Sequence, residues 1–163
     1  MKDALATAGA QAKIVSQFGG RVRGASGETM EVDKMFVAAA SVMFDAVFVP
    51  GGAESVTTLR RSGEARHFIN EAFRHCKPIA ATGEGVDLLR AASLEGVQLS
   101  TEGLVEDSGV VTAASIRHGL KDRLQDAVGG GPHVSLNDFA EALVQALAAH
   151  RFWQRPHKDQ VPA

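Results

Sequence analysis

Short runs of buried-type apolar residues alternate along the chain with runs whose apolar positions recur every three or four residues. This alternation predicts an α/β fold, a mostly parallel sheet with helices on both faces. Residues 2–9 are expected to be helical, with Gly9 stopping them. Residues 12–16, carrying Ile14 and Val15, read as a strand, and residues 21–25 and 29–32 flank Ser26-Gly27 as a small hairpin. Residues 45–49 form a strand of buried type, closed by Pro50-Gly51-Gly52, which cannot continue a ladder. Two helices are expected next, and in the second Ala65, Phe68, Ile69, Ala72 and Phe73 recur at helical spacing. Cys76 continues that stripe.

Residues 78–82 give another buried strand, after which Gly83-Glu84-Gly85 turns into a helix carrying Val86, Leu88 and Leu89. Residues 97–99, 104–105 and 110–112 are further strand candidates, followed by a weaker helix over 117–127 that Gly129-Gly130-Gly131-Pro132 breaks. Ser135 is the expected N-cap of a last helix, with Asp138 three residues on and a stripe of Phe139, Leu143, Ala146, Leu147 and His150. The reading is one α/β domain over residues 1–150 and an irregular tail over 151–163, with no internal repeat.

Composition narrows the function classes. At 163 residues the chain suits one core. A net charge of -2 and a pI near 6.3 come from interspersed acids and bases, so no basic field draws in nucleic acid or an anionic membrane. Neither is expected as a partner. Cys76 is the single cysteine, so no intrachain disulfide forms, a Cys-rich zinc site is excluded, and a reducing, cytoplasmic location is expected. The start lacks a continuous apolar stretch of signal-peptide type, and nothing approaches the ~18 apolar residues of a membrane-spanning helix.

The candidate chemistry centres on Gly83, Glu84 and Gly85. Glycines between a strand and a helix suit a dinucleotide pyrophosphate, but Leu88 stands where the third glycine belongs, so no cofactor is expected there. The same turn is where α/β enzymes expose a nucleophile. Here the apex is Gly83, which has no side chain, while Glu84 is a weak nucleophile with no evident base or orienting partner. Thr82 is expected to point into packing, and Cys76 to be an inert core thiol. The histidines His67, His75, His118, His133, His150 and His157 make no metal-ligating spacing, so no metal site is expected. His150 is assigned to the end of the last helix, and Glu102, Glu106 and Asp107 are read as solvated.

Residues 45–52 (DAVFVPGG) together with 77–89 (KPIAATGEGVDLL) resemble class I glutamine-amidotransferase-like domains, the superfamily of intracellular-protease-like and Parkinsonism-associated chaperone proteins. The resemblance implies a flavodoxin-like, doubly wound sheet. In active members a cysteine sits at the elbow; matching the motif puts Gly83 there and Glu84 where a histidine often follows, so catalytic residues do not carry over. The ending, residues 147–156 (LAAHRFWQRP) with 161–163 (VPA), is similar to the end of large-subunit haem catalases, as are SVMFDAVFVPGGAESV and HFINEAFRHCKPIAATGEGVDLL. This second resemblance identifies the chain with the C-terminal domain that those enzymes append to a haem-bearing barrel.

By that resemblance the parent decomposes hydrogen peroxide to water and oxygen with haem, as a homotetramer, and the haem ligands lie outside these residues. The chain would hold no cofactor and have no activity of its own. Its partners would be the haem-barrel body and sister subunits, and its roles stability, assembly, peroxide access or chaperone-like activity. The family domain opens with a central strand, absent from this chain, between the strands at 12–16 and 45–49. Its loss predicts low stability for the isolated chain, unless 12–16 closes directly onto 45–49. Two rival functions remain: a free-standing hydrolase, deglycase or chaperone, and an oligomerisation module anchored by Phe152-Trp153.

Overall fold

The computed structural model describes residues 1–24, 27–117 and 134–163. Ser26 of the expected hairpin turn, the expected helix beyond Arg117, the Gly129–Gly131 break, His118 and His133 lie outside them. In chain order the elements are α1 (Lys2–Thr7), β1 (Val15–Ser16), β2 (Arg21–Arg23), β3 (Thr29–Glu31), β4 (Lys34–Met35), β5 (Val47–Val49), α2 (Ala53–Arg61) and α3 (Gly63–Arg74). They continue with β6 (Ile79–Thr82), α4 (Gly85–Ala91), β7 (Leu104–Asp107), β8 (Val110–Ala113), β9 (Ile116–Arg117), β10 (Val134–Ser135) and α5 (Leu136–Ala149). Two single turns of 3₁₀ helix, Phe36–Ala38 and Ser41–Met43, lead into β5.

The main sheet has the order β5-β6-β8-β7, parallel from β5 through β8, with β7 antiparallel at the edge. β5 and β6 read as short runs of buried type because both of their faces are covered. Alternate residues point to opposite faces, so Val47, Val49, Ile79, Ala81 and Val110 pack beneath α2, α3 and α4. Ala80, Val111 and Ala113 pack under α1 and α5, with Leu5, Phe139 and Leu143. The expected α3 stripe is buried throughout, from Ala65 to Phe73. Ser135 caps α5 as its sequence predicts, its hydroxyl accepting from the Asp138 N–H at 3.0 Å.

Several elements differ from the sequence reading. The strand expected at 12–16 shrinks to Val15–Ser16, because the side chain of Asp33 takes the Ile14 N–H at 2.7 Å and diverts that backbone from a ladder. Residues 97–99 form no strand; the Gln98 N–H donates instead to the Asp107 carboxylate at 2.7 Å. Asp107 is therefore a structural acceptor rather than a solvated charge, and it also accepts from the Ser108 hydroxyl at 2.8 Å. α3 ends at Arg74, so Cys76 lies just beyond it, in a left-handed turn (φ 58) that still buries the thiol. His150 closes α5 with φ 63 and is exposed, so the buried stripe stops before it.

Among the described residues no strand pairs with β5 on the side away from β6. β1 pairs parallel with β4 in a separate two-stranded sheet, and β5 is the terminal strand of the main one. The pairing of 12–16 with 45–49 that would close the sheet does not occur.

Residues 151–163 contain turns but no helix or strand, and they are fastened by Arg155. Its guanidinium donates to the carbonyls of Ser108 at 2.9 Å, Phe73 at 3.0 Å and Lys77 at 2.8 Å, and lies 4.6 Å from the centre of the Phe73 ring. Burial brings its pKa down to about 10, so it stays charged at neutral pH. Val161 is buried in the core, and the Asn70 amide donates to Pro162 O at 2.8 Å. Arg155→Met keeps most of the stem but strands three carbonyls. It should lower unfolding stability by about 3 kcal/mol in urea titration. Trp153→Ala, at a side chain 65% exposed, should change stability by less than about 0.5 kcal/mol.

Candidate functional site

The turn singled out in the sequence is an elbow at the carboxyl end of β6, where an open parallel sheet presents ligands. Gly83 sits at its apex with φ 53, donates its N–H to Ala113 O at 2.9 Å and accepts from the Val86 N–H at 3.1 Å. Beside it runs the loop closing β5. The Gly51 N–H donates to Thr82 Oγ1 at 3.2 Å, and the Gly52 N–H donates to Glu84 Oε2 at 2.8 Å. Glu84 thus has an orienting partner that its sequence context does not reveal. Thr82 is buried and engaged in the same loop.

These contacts define what the elbow can do. An acyl-transfer site needs a nucleophile and free N–H donors for the developing oxyanion. Gly83 offers no side chain, and the two nearest loop N–H groups are already held by Thr82 and Glu84. The Gly52 N–H, followed by the Glu84 backbone N–H, holds the Glu84 carboxyl below the usual range, so it is ionised at neutral pH and cannot serve as a general acid.

The two glycines of the elbow differ in kind. A Cβ built at Gly83 would meet only Gly51 Cα, at an ordinary 3.5 Å, so the apex has room for a side chain. A Cβ at Gly85 would fall 2.5 Å from Val49 O and 2.9 Å from Pro50 O. Gly85 is therefore what lets α4 begin against the end of β5. Leu88, in the place of a third fingerprint glycine, is buried in the core beneath α4.

The other candidates do not converge on the elbow. Cys76 is buried at the opposite end of β6, and its carbonyl accepts from the Phe152 N–H at 2.8 Å. His67, His75, His150 and His157 are exposed, and among the described residues no group of His, Cys, Asp and Glu could hold a metal ion. Sequence reasoning missed Lys77 and Glu71. Lys77 is 2% exposed, and its ammonium donates to Val42 O at 2.7 Å and to Phe44 O. Burial pushes its pKa down. Burial raises the Glu71 carboxyl, but bonds from the Ser41 hydroxyl at 2.8 Å and N–H at 2.6 Å outweigh it, so the net shift is downward. The one available signal was a lysine directly before a buried strand. Both residues hold the segment leading into β5 in place, away from the elbow.

Fold and elbow together define a domain of the DJ-1/ThiJ/PfpI type. The ThiJ/PfpI domain protein of Brachyspira murdochii superposes with a TM-score of 0.69 at 26% identity, over 91% of this chain and 86% of that one. A two-domain protein of Anabaena variabilis with DJ-1/ThiJ/PfpI-like and ferritin-like domains gives 0.71 at 21% identity, over 99% of this chain and 46% of its own. Within that fold, residues 1–157 match the C-terminal domain found in long catalases, and the chain belongs to that family. It is 41% identical to the catalase HPII of Mycobacterium avium over 145 residues, covering 89% of the chain, and 38% identical to Catalase-1 of Neurospora crassa over 138 residues, covering 83%. In each case it spans 18% of the relative's length.

Haem, the cofactor that catalase kinship brings into question, does not fit the residues described. A cavity of about 130 Å³ beside β5 and an open groove of about 360 Å³ along α1 carry no His, Cys, Met or Tyr on their walls, so neither supplies an axial ligand.

Gly83→Ala should fold normally at a cost of about 1 kcal/mol for its left-handed backbone, whereas Gly85→Ala should cost about 3 kcal/mol through its clash with two carbonyls. Urea midpoints of the two variants check the contrast. Glu84 titrates lower when folded than unfolded, so its tie to Gly52 contributes fully above the unfolded value and is lost as pH falls through the folded one. The stability difference between the protein and Glu84→Gln should therefore hold steady above roughly pH 5 and shrink below about pH 4.

Proposed function

We propose that the chain serves as a non-catalytic domain of a long haem catalase whose complete subunit decomposes hydrogen peroxide to water and oxygen. The observation that carries this reading is the elbow itself, with a bare glycine at its apex and its neighbouring N–H donors consumed. Kinship with long catalases over residues 1–157 supports the reading. The elbow argues against a free-standing hydrolase or deglycase, which would need the thiol that Gly83 lacks.

In this reading the partners are the haem-bearing body and sister subunits of a homotetramer in the cytoplasm. The domain's contribution is to stability and assembly rather than to the peroxide reaction, and mixed charge with net -2 gives it no affinity for nucleic acid. Among the described residues no helix is long and apolar enough to cross a membrane.

The test is a chimera in which this chain replaces the corresponding C-terminal part of the Mycobacterium avium enzyme. The chimera should bind haem, evolve oxygen from peroxide and retain activity on heating, while the same body without any such domain should lose its activity several degrees lower. The isolated chain should evolve no oxygen with added haemin. A chimera no more heat-resistant than the bare body, or turnover by the isolated chain, would overturn the reading.

A further inference from the structure

Away from the elbow, the chain carries five sulfur atoms, those of four methionines and one cysteine, and the fold sorts them by depth. Cys76 is 2% exposed, and the Phe152 N–H of the tail donates to its carbonyl at 2.8 Å. Met1 packs against the core beneath α5. Met30 is half-buried and stands opposite Val22 in the β2–β3 hairpin. Met35 and Met43 differ from these, being 39% and 67% exposed.

A division of labour among neighbours puts these two thioethers outside. Phe36 and Phe44 turn inward onto the Phe68 ring, with ring centres 5.4 and 5.9 Å apart. The residues beside them, Met35, Val37, Val42 and Met43, are left exposed. Met35 Sδ lies 3.7 Å from where a Cβ on Gly19 would stand, which extends this apolar surface toward exposed Phe18. The turn bearing Met43 is pinned by other residues. Glu71 accepts from the Ser41 hydroxyl and N–H, and the Lys77 ammonium holds Val42 O and Phe44 O. Met43 is thus presented to solvent on backbone whose position does not depend on its own side chain.

We propose that Met43, followed by Met35, is an oxidation site at which the domain consumes hydrogen peroxide or another small hydroperoxide stoichiometrically. A sulfur lone pair attacks one peroxide oxygen, and the S–O bond forms as the O–O bond breaks. The proton on the transferred oxygen passes to the departing hydroxide. Sulfur loses two electrons, the peroxide oxygens gain them, and the products are methionine sulfoxide and water. A thioether needs no deprotonation for this step, whereas a thiol reacts as its thiolate and has to be reached, which burial denies Cys76. Exposure therefore sets the order, Met43 before Met35 and both before Met30. Each sulfoxide replaces an apolar side chain with a polar one, so oxidation makes the surface around Val37 and Val42 less apolar. The pins at Ser41, Val42 and Phe44 let this happen without unfolding.

The chemistry needs only this chain and added peroxide, so its failure would leave the reading as a catalase domain untouched. In the test, the purified chain is held with hydrogen peroxide and a metal chelator at neutral pH, and its peptides are mapped by mass spectrometry over time. Met43 should gain an oxygen at a rate within about threefold of N-acetylmethionine amide, and at least about threefold faster than Met30. Met35 should fall between them. Cys76 should stay unmodified in the folded protein and oxidise once urea unfolds it. Methionine sulfoxide reductases should restore the original mass. Replacing both residues, Met43→Leu with Met35→Leu, should abolish the fast uptake and move the thermal midpoint by less than about 2 °C. Oxidation of Cys76 or Met30 ahead of Met43 would overturn the proposal, as would a common rate for all the methionines. Loss of the cooperative melt when Met43 alone is oxidised would overturn it as well.

Discussion

The arrangement depends on one close approach, that of Gly85 to the carbonyls of Val49 and Pro50. Only hydrogen fits there, since a Cβ would sit 2.5 Å from the first and 2.9 Å from the second. That contact sets the start of α4 against the end of β5, and with it the distance between the two loops of the elbow. Once the loops meet, Thr82 and Glu84 can each take an N–H from the glycines closing β5.

The fold was largely legible because a sheet buried on both faces writes itself as apolar runs, and its helices as stripes. Val47–Val49, Ile79–Thr82 and the α3 stripe were readable for that reason. Residues 12–16 and 97–99 misled because local apolar character is not pairing. In each case a carboxylate distant in sequence, Asp33 or Asp107, captures an N–H that a ladder would have used. The glycines of the elbow were equally readable, but the partner of Glu84 was not, since Gly52 lies 32 residues away.

Two irregular segments, the one leading into β5 and the C-terminal tail, are held by buried cations bonded to carbonyls. Lys77 holds the residues leading into β5 and Arg155 holds the tail, each through backbone oxygens from distant parts of the chain. Carbonyl partners are invisible to sequence inspection, because every residue has one. A guanidinium meets three of them at once with fixed geometry, which a lysine could not reproduce. The order of these two segments thus rests on few side chains, and those side chains look like ordinary surface charges in the sequence.

The elbow retains the geometry of a catalytic turn without the group that would use it. The left-handed backbone at Gly83 is a conformation that any other residue would hold at a cost, and glycine removes that cost. Glu84, ionised and bonded to Gly52, then turns what would be a site of reaction into a clasp between β5 and α4. Strain at such turns is tolerated where chemistry needs it. Where the nucleophile is absent, the same turn relaxes and its polar groups become available for cohesion. The two glycines of the elbow thus divide the work: Gly83 adopts its left-handed backbone at little cost and puts no side chain at the apex, while Gly85 permits the close approach on which the clasp depends.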